Sequence, residues 1–367
     1  MNTILYSGPP NQIEPNFIYF TNCDLPHVTL VTLPNKRYIH INTENLSPQQ
    51  RTELSQKAQY CFQAEVISKS TLAKVISQQE QPLFSFKNLS THPQWPSFRN
   101  QDIDLYELSD ELSYKRLQKD KSEIQAIQQA CQITSKAMKH IIKHAKPGMT
   151  QKQVAKLFTD SIQKQGAHEL AFPSIVAHNQ DNQHLHHKPT DSVITEGSFV
   201  LLDLGCKYDN YCSDMSRCFP ISGKFTPQQA LLYKALDKTF HYALSKIKPG
   251  AHWNHITLST LDKLYQECVK LHLVKANLNP SDKLTLMKQL MPHSLGHHIG
   301  LETHDCNEDI VILEPTMVIT LEPGLYFQDI QSPHINRKQW NQFKSLGGIR
   351  LEDTLLITQQ GYKKLTK

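Results

Sequence analysis

The sequence of 367 residues lacks several patterns that mark whole classes of protein. Its apolar residues form no run near the roughly 18 residues that a membrane-spanning helix needs. Its first residues lack the basic and then apolar pattern of a signal peptide. The 39 Lys and Arg against 34 Asp and Glu are scattered, with no block typical of nucleic-acid binding. We therefore expect a soluble, cytoplasmic protein that binds neither membranes nor nucleic acid.

The eight cysteines also lack the spacing of a metal or disulfide motif. No two of them form a Cys-x-x-Cys pair, and Cys206, Cys212 and Cys218 fall in segments with the residue pattern of strands. Reduced structural thiols are therefore the interpretation we prefer over a disulfide framework or a zinc ribbon.

The length and a change of pattern near residue 110 predict two domains. Residues 1–110 alternate β-type runs with Gln-rich helical stretches such as 48–59, which predicts a smaller α/β domain. Its β-type runs are residues 16–21, 27–32 and 37–41. Residues 92–111 mix proline, aromatic and acidic residues without a period, as is typical of a linker.

Residues 111–367 have the mixed pattern of a larger α/β domain. Apolar residues at helical spacing predict a long helix from about Ile124 that ends before Pro147-Gly148, and a second helix that begins after Thr150 and ends at Gly166. Two further helices are predicted at 227–247 and 255–273. The predicted strands are residues 199–206, 212–219, 317–322 and 349–358.

Five side chains of the types that bind metals stand in four short segments of this larger domain. They are Asp203, Asp214, His297, Glu322 and Glu352. Four carboxylates and one imidazole exceed the need of one divalent ion. They suit two neighbouring ions that share bridging carboxylates and hold a hydroxide between them. The sequence therefore predicts a dinuclear metallohydrolase.

Asp203 and Asp214 are the most informative pair. If their strands form a hairpin that turns at Tyr208-Asp209 or at Asp209-Asn210, the two aspartates lie opposite or diagonal to each other on one face. Carboxylates about 5 Å apart among apolar strands repel each other, and a bound cation removes that cost. The alternative is an edge hairpin with both acids exposed to solvent.

Arg350 and Glu352 lie two residues apart on a predicted strand and therefore point to one side. An arginine there can orient a metal-binding glutamate and stabilise charge on a substrate, whereas the alternative is an exposed ion pair. Glu322 is followed by Pro323-Gly324, which ends its strand at the acid.

Two histidine clusters accompany these segments. The first cluster is His293, His297 and His304. The second cluster is His184, His186 and His187. Imidazole can bind a metal or give a proton to a leaving group. A surface patch of histidines is the alternative for the second cluster.

Together these residues resemble the metallopeptidases of the pita-bread fold, specifically the aminopeptidase P and prolidase group. The resemblance extends from Tyr114 to the last residue and includes the eleven-residue step from Asp203 to Asp214. Four further motifs contribute to it: Lys121-Ser-Glu-Ile, Lys146-Pro-Gly-Met-Thr150, Phe172-Pro-Ser-Ile-Val176 and His186-His187-Lys-Pro-Thr190. It implies an α/β (α+β) protein in which a creatinase-like N-terminal domain precedes a C-terminal pita-bread (creatinase/aminopeptidase-like) domain.

The resemblance also implies a role for each candidate residue. Asp203 would bind one ion, Asp214 and Glu352 would bridge two ions, and His297 and Glu322 would complete the second. Oxygen-rich ligation with a single histidine favours Mn²⁺ as the ion, with Co²⁺ or Zn²⁺ as alternatives.

Further roles follow for the residues around the ions. The resemblance implies that His186 lines the substrate pocket, and that His293 and His304 flank the metals and assist the substrate and the leaving group. Arg350 would lie near a bridging carboxylate, and Glu322 would accept a proton from the attacking water.

Two departures from the group stand out. The helix that usually opens the N-terminal domain is shortened or absent before residues 16–21, which bears on dimer contacts and on recognition of the substrate's end. Ser294 replaces a glycine common between the histidine and Leu-Gly-His, which adds a small side chain near His293.

The leading hypothesis is a homodimeric Xaa-Pro aminopeptidase acting on proline-containing peptides, with a hydroxide that bridges two ions as the nucleophile. An Xaa-Pro dipeptidase (prolidase) is the alternative. Methionine aminopeptidase shares the fold but normally lacks a domain like residues 1–110, and creatine-hydrolysing relatives use no metal. A non-catalytic binding module would be expected to have lost ligands that this sequence retains.

Overall fold

The computed structural model describes residues 3–7, 13–21, 23–26, 28–33, 36–42, 46–77, 83–85, 105–107, 109–307 and 310–367. The chain divides into two compact units, Met1–Arg116 and Leu117–Lys367. The domain boundary predicted at residue 110 falls shortly before this division. None of the helices in these described ranges has the length and apolarity to span a membrane.

The first unit contains a six-stranded sheet in the order β4-β3-β2-β1-β5-β6. Its strands are β1 Thr3–Tyr6, β2 Val28–Leu33, β3 Lys36–Ile41, β4 Glu65–Val66, β5 Leu83–Ser85 and β6 Leu105–Glu107. Its helices are α1 Pro15–Thr21, α2 Pro48–Phe62, α3 Lys69–Ser77 and α4 Ser109–Arg116. Alternate residues of β2 face opposite ways: Leu30 packs in a cluster with Phe62 of α2, whereas Val31 packs in one with Leu72 of α3.

The predicted strand at residues 16–21 is wrong, because this run forms helix α1. Pro15 begins the helix, where its fixed φ and missing N–H cost nothing. The buried Asn16 side chain accepts a hydrogen bond from Arg116 Nη1 at 2.9 Å, a contact that adjacent sequence does not show. Most of the predicted linker at 92–111 lies outside the described residues, although 105–107 forms strand β6 within it.

The helices predicted for the second unit are confirmed. They are α5 Lys121–His144, α6 Gln151–Gln163, α7 Pro227–Leu244 and α8 Trp253–Lys270. Thr150 caps α6 as expected, since its side chain accepts a hydrogen bond from the Gln153 backbone N–H. Two additional helices follow, α9 Pro280–Leu290 and α10 Arg337–Lys344.

Short strands fill the space between these helices. They are β7 Glu169–Leu170, β8 Ile175–His178, β9 Phe199–Leu204, β10 Cys206–Tyr208, β11 Tyr211–Cys212, β12 Met215–Pro220, β13 Val318–Leu321, β14 Gly324–Tyr326, β15 Gly348–Arg350, β16 Asp353–Ile357 and β17 Tyr362–Lys364. They form sheets in the orders β12-β9-β8, β11-β10-β7, β13-β16-β17 and β14-β15.

Strand β9 separates two apolar cores of this unit. Its residues Val200 and Leu202 pack in a cluster with α5 and α6, whereas Phe199 and Leu201 pack in a cluster with α7 and α8. Because side chains alternate along a strand, Asp203 points to the same face as Phe199 and Leu201. A buried strand therefore holds the first candidate ligand between apolar layers.

The hairpin between β9 and β12 has the second of the two predicted registers. Tyr208 pairs with Tyr211 around a turn at Asp209-Asn210, and Asp203 pairs with Ser216. Asp203 and Asp214 are therefore diagonal neighbours on one face. Both are buried, at 9% and 5% exposure, which excludes the alternative of an exposed edge hairpin.

Candidate metal centre

Breaks and ends of strands hold the candidate ligands. Asp214 lies between β11 and β12, Glu322 directly follows β13, and Glu352 lies between β15 and β16. The strand predicted at 349–358 is thus two strands with a break at the acid. His297 lies in the loop between α9 and β13. Irregular backbone at these points turns side chains of several strands toward one space.

Three of the predicted ligands form a compact group. Ligand atoms of Asp214, His297 and Glu352 all lie within 4.8 Å of one another. His297 Nε2 is 3.6 Å from Asp214 Oδ2 and 3.7 Å from Glu322 Oε1, so Glu322 borders the group. The charge of Asp203 acts on Asp214, Glu322 and Glu352, which places the fifth residue nearby.

This group concentrates negative charge away from water. Burial first, and then the charges of Glu352 and Asp203, raise the pKa of Asp214 well above the ordinary carboxyl value. Burial and the charge of Glu322 do the same to the pKa of Glu352. Burial raises the pKa of Glu322 to about 8. Carboxylates so placed are costly when ionised unless a cation lies among them.

Two orphaned atoms support the same interpretation. Asp203 Oδ1 and Asp214 Oδ1 are buried and have no hydrogen-bond partner among the described residues. Buried polar atoms are almost always paired in native proteins, and an oxygen-rich set with one imidazole suits a hard or borderline divalent ion. The residues present therefore fit divalent metal ions.

His297 has the tautomer that a metal ligand needs. Its Nδ1 lies 2.9 Å from the backbone carbonyl of His298, which can only accept, so Nδ1 holds the proton and Nε2 is left as the ligand atom. Burial lowers the pKa of His297 to about 4, which keeps the ring neutral at pH 7. The Thr320 hydroxyl accepts from the His297 backbone N–H at 3.1 Å and fixes the loop.

Arg350 is the centre of a buried hydrogen-bond network. Its Nη2 donates to Asp203 Oδ2 at 2.6 Å, its Nε to Ser216 Oγ at 3.0 Å and its Nη1 to Tyr326 Oη at 2.8 Å. Ser216 in turn donates to Glu352 Oε2 at 2.8 Å. The guanidinium thus orients a carboxylate on each side, directly and through Ser216. At 3% exposure, Arg350 is not part of an exposed ion pair.

His293 extends this network. Its Nδ1 lies 2.8 Å from the Ser294 carbonyl and therefore holds the proton, so Nε2 accepts from Tyr326 Oη at 2.9 Å. Burial first, and then the Arg350 charge, lower the pKa of His293 to about 3. Its Nδ1 is also 3.5 Å from Glu322 Oε2. Hydrogen bonds thus join Arg350 through Tyr326 to His293, whose ring lies beside Glu322.

The other two predicted histidines lie at the edge of the group. The His304 ring meets the His297 ring edge to face, with centroids 4.3 Å apart, and retains exposure to solvent. Desolvation and the charge of His186 lower the pKa of His304. The His186 charge also lowers the pKa of His293. The exposed His186 therefore lies near both, while its neighbour His187 is half-buried.

Two residues of the site were missed by sequence reasoning. Ser216 stands two positions after Asp214 at the start of β12, and this spacing could have placed it on the same face. Tyr326 gave no comparable signal, because its contacts to His293 and Arg350 depend on the pairing of β14 with β15.

The sequence matches metallopeptidase family M24 over residues 125–359, a span that contains all the candidate residues. The chain belongs to this family. As a metallopeptidase of this family it uses divalent metal ions and acts on peptides. The family and the cluster of ligands agree on the coarse chemistry of the site.

The curated relatives reported below are named probable Xaa-Pro aminopeptidases. The probable Xaa-Pro aminopeptidase PEPP of Ajellomyces dermatitidis is 28% identical over 402 aligned positions, which cover 97% of this chain and 85% of that protein. The probable Xaa-Pro aminopeptidase PEPP of Phaeosphaeria nodorum is 29% identical over 295 positions, which cover 74% of this chain. In that second comparison the chain spans 63% of the relative's length.

Solved structures confirm the predicted fold class. Aminopeptidase P from E. coli, in complex with the inhibitor Pro-Leu, matches 100% of this chain and 90% of its own with a TM-score of 0.86 at 22% identity. The Pseudomonas aeruginosa aminopeptidase PepP matches 96% of this chain and 85% of its own, with a TM-score of 0.83 at 22% identity. The chain therefore has the pita-bread fold of aminopeptidase P.

Proposed function

We propose that this M24 metallopeptidase is an Xaa-Pro aminopeptidase that releases an N-terminal residue from peptides with proline in the second position. The observation that supports this most is the convergence of Asp214, His297 and Glu352 within 4.8 Å. It occurs in a chain whose relatives are named Xaa-Pro aminopeptidases. A group of ligands without those relatives would support only a metal-dependent hydrolase.

We assign the ligands to two ions. Asp203 would hold the first, Asp214 and Glu352 would be shared, and His297 and Glu322 would hold the second. The negative charge of four carboxylates supports two ions rather than one. When bound, divalent ions would lower the pKa of water and polarise the scissile carbonyl.

The residues around the ions move and hold protons. Glu322 would accept a proton from the attacking water and return it to the proline nitrogen that leaves. His293 borders the place of the substrate carbonyl, with its two ring nitrogens bonded to Ser294 and Tyr326. His304 steadies the tetrahedral intermediate. The Nε, Nη1 and Nη2 atoms of Arg350 all donate to protein groups. Arg350 therefore acts by orienting Asp203 and Glu352.

The chemistry of proline determines how the substrate is recognised. A bond before proline is a tertiary amide without an N–H, so the enzyme cannot select it through a hydrogen bond from that nitrogen. Selection depends on a pocket shaped for the pyrrolidine ring. The exposed His186, whose charge reaches His293 and His304, is proposed to line this pocket.

We also propose Mn²⁺ as the native ion, since carboxylate-rich ligation with a single histidine suits a hard cation. A homodimer in the cytoplasm remains part of this proposal, with residues 1–110 as the N-terminal domain and 111–367 as the catalytic domain. Sedimentation velocity would test the dimer, and metal analysis of protein purified from its native cell would test the ion.

The deciding experiment is hydrolysis of Xaa-Pro and Xaa-Pro-Yaa-Zaa peptides by metal-stripped protein, with and without added Mn²⁺. We expect metal-dependent release of Xaa from the longer peptide and loss of this activity in Asp214→Ala. The control is Asp160→Ala, which removes an exposed helix ion pair with Lys156 of little energetic value. Cleavage of the dipeptide alone would instead identify a prolidase. Metal binding with no cleavage of either peptide would contradict a catalytic role on these substrates.

A further inference from the structure

The loop at residues 178–190 contains His186 and depends on one buried glutamine. Gln151, the first residue of α6, is 0% exposed. Its Oε1 accepts from Thr190 N, Thr190 Oγ1 and His187 Nε2, each at 2.9 Å. Its Nε2 donates to Asp181 Oδ2 at 2.7 Å and to His178 Nδ1 at 3.0 Å. One side chain thus bonds both ends of the loop.

The partners determine the orientation of this amide. A backbone N–H can only donate, so Oε1 must face Thr190. A carboxylate at neutral pH only accepts, so Nε2 must face Asp181. It follows that His187 holds its proton on Nε2 and that His178 leaves Nδ1 bare. A glutamine offers both an acceptor oxygen and two N–H donors at this point, whereas an ionised glutamate has no donor.

We propose that Gln151 is a positioning residue that closes the 178–190 loop at its base and thereby places His186 in the substrate pocket. The proposal rests on the proposed function, in which His186 lines that pocket. Gln151 itself bonds to the loop and not to the metal ligands. Its effect on the reaction is therefore indirect and should appear in substrate binding.

The loop does not depend on Gln151 alone for its fold. Asn182 Nδ2 donates to the carbonyls of Phe199 at 3.0 Å and Leu346 at 3.1 Å and holds the middle of the loop. Changes at Gln151 are thus expected to shift the loop's ends and leave the domain folded, which permits a kinetic test.

The test compares Gln151→Glu with Gln153→Glu on an Xaa-Pro-Yaa-Zaa peptide in the presence of Mn²⁺. Both changes add one charge to the first turn of α6. Gln153 is exposed and its side chain accepts from Thr150 N, which a glutamate also does. We expect Gln151→Glu to raise KM about tenfold at pH 8.5 with little change in kcat, since a misplaced pocket residue weakens binding. Gln153→Glu should match the wild type, as should the metal content of both variants.

The pH profile separates positioning from general loss of stability. In Gln151→Glu two carboxylates would face each other at Asp181, and a proton on His178 or His187 would relieve the repulsion. In the wild type, burial lowers the pKa of His178 and of His187. The charge of Asp181 raises the pKa of both rings, and the charge of His184 lowers that of His187 further. The KM defect of Gln151→Glu should therefore shrink between pH 8.5 and pH 6. A defect that is equal at both values, or no defect, would overturn the proposal.

A double-mutant cycle tests whether Gln151 acts through His186. In a His186→Ala background, Gln151→Glu should have no further effect on KM. An undiminished effect there would refute the assignment. If the wild type cleaves no Xaa-Pro peptide, the proposed function fails on its own. The positioning role is then decided by NMR of ¹⁵N-labelled histidines, where it requires a proton on His187 Nε2 and a shifted His186 signal in Gln151→Glu.

Discussion

Asp214 illustrates how single residues of this site oppose folding when no cation is present. The residue is 5% exposed, and its Oδ1 has no hydrogen-bond partner among the described residues. Glu352 and Asp203 act on its carboxyl with like charge. An ionised carboxylate so placed costs free energy, and removing it relieves the repulsion on its neighbours.

Asp214→Asn should therefore have opposite effects in two states. In metal-free protein at pH 7 we expect it to raise the free energy of unfolding by about 1 to 3 kcal/mol, since it removes a carboxyl that folding forces to take up a proton. In protein with saturating Mn²⁺ it should lower stability and abolish hydrolysis, since it removes the proposed shared ligand. Thermal unfolding with EDTA and with Mn²⁺ measures both. A melting temperature lowered in EDTA would contradict this account of the carboxylates.

Tyr326 links Arg350 to His293 through its hydroxyl, and a phenylalanine cannot do so. Tyr326→Phe leaves Arg350 Nη1 and His293 Nε2 without this partner, and we expect a cost of about 1 to 3 kcal/mol in stability. We expect kcat/KM for an Xaa-Pro-Yaa-Zaa peptide to fall about tenfold with unchanged metal content, because the histidine and the guanidinium lose their orientation.

Tyr265→Phe is the matched control for this change. The buried Tyr265 donates to the Lys275 carbonyl at 2.9 Å and accepts from Leu278 N at 3.2 Å, on α8. Loss of the Tyr265 hydroxyl should lower the free energy of unfolding by about as much as Tyr326→Phe does, and it should leave kcat/KM unchanged. Equal activity losses in the two variants would mean that the Tyr326 effect is only one of stability.

At the scale of elements, the hairpin between β9 and β12 depends on one close approach of its strands. A Cβ on Gly205 would lie 2.0 Å from the Ser213 carbonyl oxygen and 2.6 Å from Phe172 Cε1. Neither the backbone nor the packed ring can easily yield at such distances. The approach holds the residue next to Ser213, which is Asp214, at its place in the site.

Gly205→Ala should therefore separate the hairpin strands and displace Asp214 from Asp203. We expect loss of at least one bound ion per chain and a fall in hydrolysis of more than about tenfold. Gly361→Ala is the control, since a Cβ there meets nothing within 4 Å. Metal content by atomic emission measures the first effect. Full metal content in Gly205→Ala would show that the strands adjust without moving the ligand.

Local pattern predicted those elements whose partners are near in sequence. The register of the hairpin followed from its turn, and α6 followed from Thr150 and the apolar spacing after it. Residues 16–21 have a β-type composition, but Pro15 and the distant Arg116 support a helix there. Helix α9 was missed although Asn279-Pro280 is a good start signal, because its apolar spacing is weak.

The same limit applies to the site. The five ligand types were visible because carboxylates are rare in apolar strands and histidines stood beside glycines. The network around Arg350 was not visible in the sequence, because its bonds to Asp203 and Tyr326 join residues 147 and 24 positions apart. Which nitrogen meets which oxygen is decided by the packing of separate sheets.

For the whole molecule, the carboxylates and histidines predict how stability depends on pH in the absence of metal. Glu322 has a pKa of about 8 in the folded protein against 4.5 as its ordinary value. Between these values the folded state binds the proton that the unfolded state has lost, so stability falls as pH rises. His293 and His297 have pKa values of about 3 and 4 in the folded protein against 6.5 as their ordinary value. They make stability rise with pH, but only below pH 6.5.

We therefore expect metal-free protein to lose several degrees of melting temperature between pH 6.5 and pH 8.5. With saturating Mn²⁺ the loss should be much smaller, since the cation replaces the protons. Thermal unfolding at a series of pH values with EDTA or Mn²⁺ checks this. A metal-free melting temperature that rises over this interval would be incompatible with buried, protonated carboxylates.

The spacing of the ligands along the chain has a consequence for how the protein is made. Asp203 and Glu352 lie 149 positions apart, and the other three proposed ligands lie between them. During translation no earlier fragment has the complete set, and the packing that gathers it needs strands from both ends of this span. The five proposed ligands therefore cannot hold a cation together before Glu352 is synthesised. Under the proposed ligand assignment, the ion that the enzyme acquires is decided by the free metals present where folding finishes.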